Sequence, residues 1–363
     1  MLVRIGKFFY YIMVLISVVM ALGMIICVFS THLSPAKYPI VSSWGLVFPV
    51  LLAINGLILV FWLVVKWRTA IIPLVAFILC WFSFRAYLPV NIPQDPPEGS
   101  IKLLTYNTQT FGKFKKGSLS DNEIHQYIKN SGSDIVCLQE VLYEKQAEKY
   151  KMKDVYPYIS ITVVPSRSRL AVFSKYPILD TQLIDYPTKT NSSVMYHLLI
   201  DGDTVTLINN HLESYKLKPT EKTRYKDMIN EKDVKKEDSK LLLGKINFAD
   251  SLRALQTDVL YDLVYKELQK HEGVIVCGDF NDSPVSYVHY RLTRQLHDAY
   301  AESGNGLAFT YHDNKMYFRI DHILLSSYYE SYGSKVDKSI KLSDHYPVYT
   351  YIKKKKKGSI VIK

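Results

Sequence analysis

The sequence predicts an α/β domain of two packed β-sheets flanked by helices, preceded by about three transmembrane helices. Two observations support this prediction. Residues 1–94 contain long apolar runs and no Asp or Glu, so all 34 acidic residues of the 363-residue chain follow them. After residue 100, short β-type runs alternate with amphipathic helical runs, which is typical of sheets covered by helices.

The apolar N-terminal region predicts a membrane anchor over residues 1–89. Its three candidate spans are residues 8–29, 44–65 and 69–88. The first two are long enough to cross the hydrocarbon core of a bilayer. The third is interrupted by Pro73 and Arg85 and is the weakest of the three.

The distribution of basic residues predicts the orientation of this anchor. Arg4 and Lys7 precede the first span, and Lys66 and Arg68 lie between the second and third. Loops rich in Lys and Arg stay in the cytoplasm, so we expect an integral membrane protein with everything after residue 90 on the extracytoplasmic side. If the third run does not span, the remainder of the chain lies in the cytoplasm instead.

The remainder divides into a linker, a folded domain and a basic tail. The predicted bounds are 90–100, 101–352 and 353–363. Prolines keep the linker extended. Six lysines lie in the tail, which leaves 33 basic and 34 acidic residues across 95–352. The net charge of +11 therefore belongs to the anchor and tail, and it does not indicate a basic duplex-binding surface.

Strand-like and helix-like runs can be assigned within the folded domain. The strand-like runs are IKLLTYN, DIVCLQEV, LAVFSKYPI, VMYHLLI, TVTLINNHL, GVIVCGDFN, FRIDHILLS and HYPVYTYI, and the helix-like runs are 121–131, 247–270 and 284–295. Residues 216–245 interrupt this pattern with ten basic and six acidic residues. They form either a solvated excursion or an arm that faces the substrate. The four cysteines show no zinc spacing and are interpreted as small buried apolar side chains.

Polar residues recur at the ends of the hydrophobic strands. They are Asn107, Glu140, His211, Asp279, Asn281, Asp321, Asp344 and His345. A strand is a rigid support and its end is open to solvent, so several converging ends would build one acidic pocket. Oxygen ligands from Asp, Glu and Asn suit a hard cation such as Mg²⁺. A cation and an imidazolium can neutralise a phosphodiester while a carboxylate or imidazole prepares the attacking water.

Six motifs carry a resemblance to a known superfamily. They are LLTYNTQTF, DIVCLQEV, LINNHLES, GDFNDSP, RIDHILLS and LSDHYPV, spread over about residues 100–352. In this order they resemble the endonuclease/exonuclease/phosphatase superfamily. The resemblance implies a four-layered α/β/β/α sandwich, and it implies phosphoester hydrolysis with Mg²⁺, or with Mn²⁺ as the possible substitute.

The resemblance also implies a role for each residue. Glu140 would be the main metal carboxylate, with Asn107 and Asp344 completing the metal group. His211 would stabilise the transition state by a hydrogen bond to phosphate. The water would be positioned by Asp279 and Asn281. His345 would act as general acid or base with its ring oriented by Asp321; whether Asp279 or His345 takes the proton from water stays open.

The substrate also stays open, since this machinery acts on phosphoesters generally. The candidates are a nucleic acid, a phospholipid or inositol-phosphate headgroup, and a small soluble phosphodiester. Tethering to a bilayer would raise the local concentration of lipid substrates. A catalytically silent membrane binding module is the remaining alternative, and loss of site residues would indicate it. We expect the bilayer as a partner and no obligate protein partner.

Overall fold

The computed structural model describes residues 2–113, 119–141, 152–165, 168–188, 191–218, 220–223, 236–313 and 316–355. Five apolar helices open the chain: α1 (Leu2–Ser30), α2 (Pro39–Ser42), α3 (Phe48–Val65), α4 (Ile71–Leu79) and α5 (Trp81–Tyr87). Short 3-10 turns, Ser43–Val47 and Trp67–Ala70, precede α3 and α4.

Two segments of this region are long and apolar enough to cross a membrane. They are Gly6–Ser30 and Pro39–Val65. The third predicted run is broken at Cys80, where Trp67–Leu79 and Trp81–Tyr87 meet at an angle of 73°. This bent pair counts as a third span if its two halves cross the membrane together.

The rest of the described chain forms two six-stranded sheets. The first has the order β11-β12-β1-β2-β4-β3 and the second β5-β6-β7-β8-β10-β9. The strands of the first sheet are β1 (Ile101–Asn107), β2 (Ile135–Gln139), β3 (Tyr158–Val163), β4 (Arg169–Ser174), β11 (Tyr329–Val336) and β12 (Val348–Lys354). Those of the second are β5 (Ile178–Leu183), β6 (Ser193–Ile200), β7 (Asp203–His211), β8 (Val274–Asp279), β9 (His297–Asp298) and β10 (Asp321–Leu325).

Helices cover the outer faces of both sheets. They are α6 (Glu123–Asn130), α7 (Lys236–Leu268) and α8 (Tyr287–Leu292). A fourth helix, α9 (Ala299–Ser303), instead contributes Ala299 and Tyr300 to the core between the sheets. One buried cluster, including Leu103, Val172 and Ile275, fills the space between the sheets. A second joins the first sheet to α6, and a third joins the second sheet to α7 and α8. The predicted α/β/β/α layering is therefore confirmed.

The predicted elements agree with the structure where strands are apolar. Each of the eight strand-like runs contains a strand, and the four cysteines are buried. Strands β3, β5, β9 and β11 were not predicted. Much of β5 and β11 is solvent-exposed, so their sequences lack the apolar run that marks a buried strand. Helix α7 begins at Lys236, within the charged segment, and β12 extends to Lys354.

One end of the N-terminal helix bundle contacts the sandwich. After α1, the His32 ring lies 4.0 Å from the Tyr290 ring, and the Ser251 hydroxyl donates to the Pro35 carbonyl at 3.0 Å. At the end of α5, Arg319 Nη1 donates to the Ala86 carbonyl at 2.9 Å. The C-terminal ends of α1 and α5 therefore lie on the same side of the bundle.

The opposite end of the bundle holds the loop between α3 and α4. Lys66 Nζ lies 4.2 Å above the Tyr10 ring, and the Tyr10 hydroxyl is 3.3 Å from Thr69 Oγ1. Tyr10 belongs to the first third of α1. The basic loop and the N-terminal part of α1 are thus together, away from the sandwich.

Candidate active site

The strand ends of the two sheets converge on one cavity of about 240 Å³. Asn107 pairs with Gln139 at the ends of parallel strands β1 and β2. In the second sheet His211 pairs with Asp279, and Asp279 pairs with Asp321. Seven of the eight predicted site residues line the cavity: Asn107, Glu140, His211, Asp279, Asn281, Asp344 and His345. Asp321 lies behind His345 and contacts its ring.

Asp279 is at the centre of this arrangement. Its Oδ2 accepts a hydrogen bond from Asn107 Nδ2 at 3.0 Å. The same oxygen is 3.7 Å from His345 Nε2 and 3.8 Å from His211 Nε2. Burial raises the pKa of Asp279 to about 6, a rise that His345 opposes and Asp321 reinforces. Asp279 is consequently an ionised carboxylate at neutral pH that binds a proton more readily than an ordinary aspartate.

A close approach of two strands places Asp279 at this position. Gly278, directly before it, has a φ of 128°, and a Cβ there would lie 2.1 Å from the Asn210 carbonyl oxygen. Only glycine therefore allows β8 to approach β7 so closely. The glycine in the GDFN motif is thus required by the backbone rather than by the chemistry.

His345 and Asp321 form a buried pair. His345 Nδ1 is 2.8 Å from Asp321 Oδ2, so the ring donates to this carboxylate and Nε2 faces Asp279. Burial would lower the pKa of His345, but the negative charges of Asp321 and Asp279 outweigh it and raise the pKa to about 10. His345 is therefore an imidazolium at neutral pH, able to donate a proton.

His211 is held on the other side of Asp279. Its Nε2 is 3.6 Å from Glu140 Oε1 and 3.1 Å from the Asn191 side-chain nitrogen. The Asn191 nitrogen also donates to the Leu212 carbonyl, which fixes the amide. Asn191 follows no strand motif, and nothing in the sequence marked it.

Asn281 has the left-handed backbone conformation, with a φ of 52°. This turn directs its backbone N–H to Asp279 Oδ1 at 2.8 Å and its side-chain nitrogen to the Leu212 carbonyl at 3.0 Å. Asparagine tolerates this conformation better than most residues. Asn281 thus orients the Asp279 carboxylate and also lines the cavity.

Three residues offer oxygen ligands for a divalent cation. Glu140 and Asp344 both line the cavity beside Asn107. Burial and the negative charge of Glu140 raise the pKa of Asp344, so the two carboxylates repel each other. Asn107 Nδ2 also lies 3.3 Å from Glu140 Oε1. Two carboxylates that line one cavity and repel each other fit a hard cation, whose charge would relieve this repulsion.

The backbone around this acidic group is strained. Glu140 has a φ of 50°, and the turn after Asn107, Gln109–Lys113, is left-handed throughout. The turn is held by the Thr110 N–H, which donates to the Glu140 carbonyl at 2.8 Å. Such conformations cost energy and persist where the surroundings enforce them, often at functional sites.

Further lining residues come from outside the motifs. Lys222 Nζ donates to the Tyr311 hydroxyl at 2.8 Å, and the Tyr311 ring packs edge-on 5.1 Å from the His345 ring. Lys216 and Lys222 both lie in the charged segment and line the cavity. These described parts of the segment favour an arm that faces the substrate over a purely solvated excursion. Leu46, from the N-terminal region, lines the cavity as well.

A second histidine–aspartate cluster lies outside this cavity. His289 Nε2 is 2.8 Å from Asp298 Oδ2, and Arg319 Nη2 contacts both Asp298 oxygens at 2.5 and 2.6 Å. His322, on the face of β10 opposite Asp321, lies in the same cluster. Its Nε2–H donates to the Asp282 carbonyl at 2.9 Å. Arg319 therefore pairs with a buried aspartate, and His322 is bonded to the backbone.

Comparisons with known proteins agree with this geometry. A family model described as the Endonuclease/Exonuclease/phosphatase family matches residues 104–345. A second model, described as a domain of unknown function, matches residues 8–87. The search of curated proteins found no match.

Solved structures share the fold at low sequence identity. Truncated TDP2 from Caenorhabditis elegans aligns with a TM-score of 0.52 and 19% identity over 71% of this chain and 99% of its own. The human Nocturnin catalytic domain aligns with a TM-score of 0.53 and 16% identity over 72% and 97%. The 3′ phosphatase NExo from Neisseria, bound to a product DNA hairpin, aligns with a TM-score of 0.50 and 16% identity over 69% and 98%.

Proposed function

The chain belongs to the Endonuclease/Exonuclease/phosphatase family of phosphoester hydrolases, and we propose that it is a membrane-anchored phosphodiesterase dependent on Mg²⁺ or Mn²⁺. One observation carries this proposal. The Asp279 carboxylate lies within 4 Å of the Nε2 atoms of both His211 and His345, beside the Glu140 and Asp344 carboxylates. This constellation combines a carboxylate base, two imidazoles and an acidic group for a metal.

Asp279 is the better candidate to take the proton from the attacking water. Its pKa of about 6 makes it an ionised base at neutral pH, whereas the pKa of about 10 keeps His345 protonated. A general base is most effective when its pKa lies near the working pH. His345 then donates a proton toward the leaving oxygen, with its ring fixed by Asp321.

His211 would stabilise charge that develops on the phosphoryl oxygens. Its Nε2 faces the same space as Asp279 but accepts from the Asn191 amide nitrogen, so it would donate to a phosphoryl oxygen only after this contact is exchanged for one with the substrate. A preorganised donor in a largely buried site stabilises the transition state more than it would in water. Asn281 would act with it by keeping Asp279 in the orientation that accepts the proton.

Glu140, Asp344 and Asn107 are the residues that would hold the cation. In the present rotamer Asn107 directs its nitrogen toward the carboxylates of Glu140 and Asp279, so its oxygen would face a ligand only after the amide turns over. A divalent cation bound there would neutralise phosphate charge and orient the phosphoester. All eight predicted residues thus have compatible positions, which argues against a catalytically silent module.

The helix bundle supports an extracytoplasmic active site. The sandwich contacts the end of α1 and the end of α5, whereas Lys66 lies at the opposite end beside Tyr10. If the basic end is cytoplasmic, the bent α4–α5 pair returns the chain across the membrane and the sandwich lies outside. Protease added to intact cells should then digest the sandwich; digestion only after lysis would contradict this orientation.

Metal dependence is the direct test of the proposed chemistry. The full-length protein should hydrolyse bis(4-nitrophenyl) phosphate with Mg²⁺ or Mn²⁺, lose this activity in EDTA and regain it when the metal is restored. Glu140→Gln should require a higher Mg²⁺ concentration for half-maximal rate, because it removes one negative ligand. Glu123→Gln, a change on helix α6 outside the cavity, is the matched control and should keep the wild-type requirement. Hydrolysis that persists in EDTA would contradict the proposal.

A further inference from the structure

The N-terminal region contacts the sandwich directly beside the active site. In the Ser43–Val47 turn, the Ser43 hydroxyl donates to Asn247 Oδ1 at 3.3 Å. A Cβ at the buried Gly45 would lie 2.2 Å from the Val285 carbonyl oxygen. The turn can therefore approach this carbonyl only because position 45 is glycine.

Val285 joins the active-site loop to the helix bundle. It is four residues after Asn281, in the loop that follows the catalytic strand β8. Its side chain is buried in a cluster with residues of α1, α3 and α4, including Met24, Phe48 and Ala76. The loop that orients Asp279 thus ends inside the anchor, so the two parts pack as one unit.

The same turn contributes an apolar wall to the active-site cavity. Leu46, half-buried, lines it together with apolar side chains of the sandwich, including Ile246, Met316 and Ile320. Two residues later Phe48 begins α3, which forms most of the Pro39–Val65 segment that is long and apolar enough to cross a membrane. Side chains such as Val50 and Leu57 on this helix are exposed in the protein alone, as expected for a surface that faces lipid.

We propose that Leu46, in the Ser43–Val47 turn, is one wall of the substrate site and that the substrate is a membrane lipid, whose phosphoester reaches Asp279 while its hydrocarbon chain packs against Leu46. This inference rests on the proposed phosphodiesterase function and specifies its substrate class. The cavity has a carboxylate and imidazole group for the phosphoester and a leucine for an apolar substituent. A nucleotide would place a polar sugar against that leucine, which gains little from the contact.

Continuity with the membrane explains why the anchor supplies this wall. A lipid is confined to the bilayer, so a site bordered by a spanning helix receives its substrate without extracting the whole molecule into water. Burial of each methylene against an apolar wall favours binding by about three- to fourfold. The anchor therefore contributes to recognition as well as to localisation.

A homologous series of substrates tests the inference in the full-length protein, held in lipid nanodiscs. Methyl, butyl and octyl 4-nitrophenyl phosphates share one leaving group and differ only in chain length; thymidine 5′-(4-nitrophenyl phosphate) replaces the chain by a nucleoside. With Mg²⁺, and with all esters below micelle-forming concentrations, kcat/KM should rise about thirtyfold or more from methyl to octyl. The thymidine ester should not exceed the methyl ester.

Substitutions at the neighbouring residues Leu46 and Val47 test whether Leu46 causes the dependence of kcat/KM on chain length. Leu46→Ala should reduce the octyl-to-methyl ratio of kcat/KM by about five- to tenfold, whereas Leu46→Met should retain it. Val47→Ala is the matched control, because Val47 belongs to the same turn, is exposed and does not line the cavity. It should leave the ratio unchanged. The methyl ester reports folding within each variant, since misfolding would lower the rates on both esters together.

The outcomes separate this inference from the proposed function. Metal-dependent hydrolysis of the methyl ester with no gain from longer chains would overturn the lipid assignment and leave the phosphodiesterase standing. A thymidine ester preferred over the octyl ester would overturn it in favour of a nucleic-acid substrate. Absence of hydrolysis of every ester with Mg²⁺ and with Mn²⁺ would overturn both proposals.

Discussion

Two buried histidine–aspartate clusters lie in the same sandwich and differ in what surrounds them. In the cluster that we propose to be catalytic, called the catalytic cluster below, His345 contacts Asp321 and faces Asp279 at the wall of an open cavity. In the structural cluster, His289 contacts Asp298, whose two oxygens are both bound by Arg319. Both clusters bring three potential metal ligands within reach of one another.

Electrostatics separates these clusters. Burial opposes ionisation of Asp298, but the positive charge of Arg319 and the hydrogen bond from His289 hold its pKa well below the usual range. Asp279 has no arginine partner among the described residues, and burial raises its pKa to about 6. The structural cluster is internally neutralised, whereas the catalytic cluster keeps carboxylates that can exchange a proton or bind a cation. Residue types alone therefore do not identify a catalytic site.

The largest effect is expected when Asp279 is changed. Asp279→Asn keeps the shape of the side chain and its hydrogen bond to the Asn281 N–H, but removes the base. We expect kcat to fall about a thousandfold while the thermal midpoint stays near that of the wild type. Steady-state kinetics on bis(4-nitrophenyl) phosphate would measure this. A rate within tenfold of wild type would rule out Asp279 as the base.

A substitution in the structural cluster should lower the stability of the protein instead of its catalytic rate. Arg319→Met would leave the Asp298 carboxylate buried without its cation, which should lower the free energy of unfolding by about 3–5 kcal/mol. Arg291→Met is a matched control, because the Arg291–Asp258 pair at 3.3 Å is partly exposed and should contribute about 1 kcal/mol or less. Thermal denaturation in detergent would compare them. Equal midpoints for the two variants would contradict the assignment.

A smaller effect concerns the pH dependence of the catalytic cluster. Activity should rise with pH as Asp279 ionises near pH 6 and fall as His345 loses its proton near pH 10. A bound cation would move both the acid limb and the alkaline limb of the pH–rate profile to lower pH. Asp321→Asn removes the negative charge that contributes most to raising the pKa of His345. The alkaline limb of the profile should therefore move down by about one pH unit or more at the same Mg²⁺ concentration. An alkaline limb that stays in place would show that His345 does not set it.

Sequence motifs predicted the positions of the residues in the proposed catalytic cluster better than they predicted the surrounding contacts. Motifs such as GDFN and SDH place Asp279 and His345 at strand ends, and parallel pairing of β7 with β8 brings such ends together. Asn191 was missed because it supports His211 through a contact between distant parts of the chain. No periodic pattern records a contact of this kind.

Contacts between the N-terminal anchor and the sandwich were likewise not predicted from the sequence. Its apolar runs predicted spanning helices, but not that Leu46 would line the active site or that Gly45 would contact Val285. Edge strands such as β5 were missed because their exposed faces carry polar residues. Hydrophobic patterning reports burial within an element, whereas contacts between an anchor and a domain depend on three-dimensional packing.

The most direct measurement compares matched histidine variants of the two clusters. His345→Gln and His289→Gln both remove a buried imidazole next to an aspartate, and both should be assayed with Mg²⁺ on the same phosphodiester at equal concentrations of folded protein. We predict that kcat falls by a factor of about 10²–10⁴ for His345→Gln and stays within about twofold for His289→Gln. Equal losses in the two variants, or full activity of His345→Gln, would contradict the assignment of the catalytic cluster.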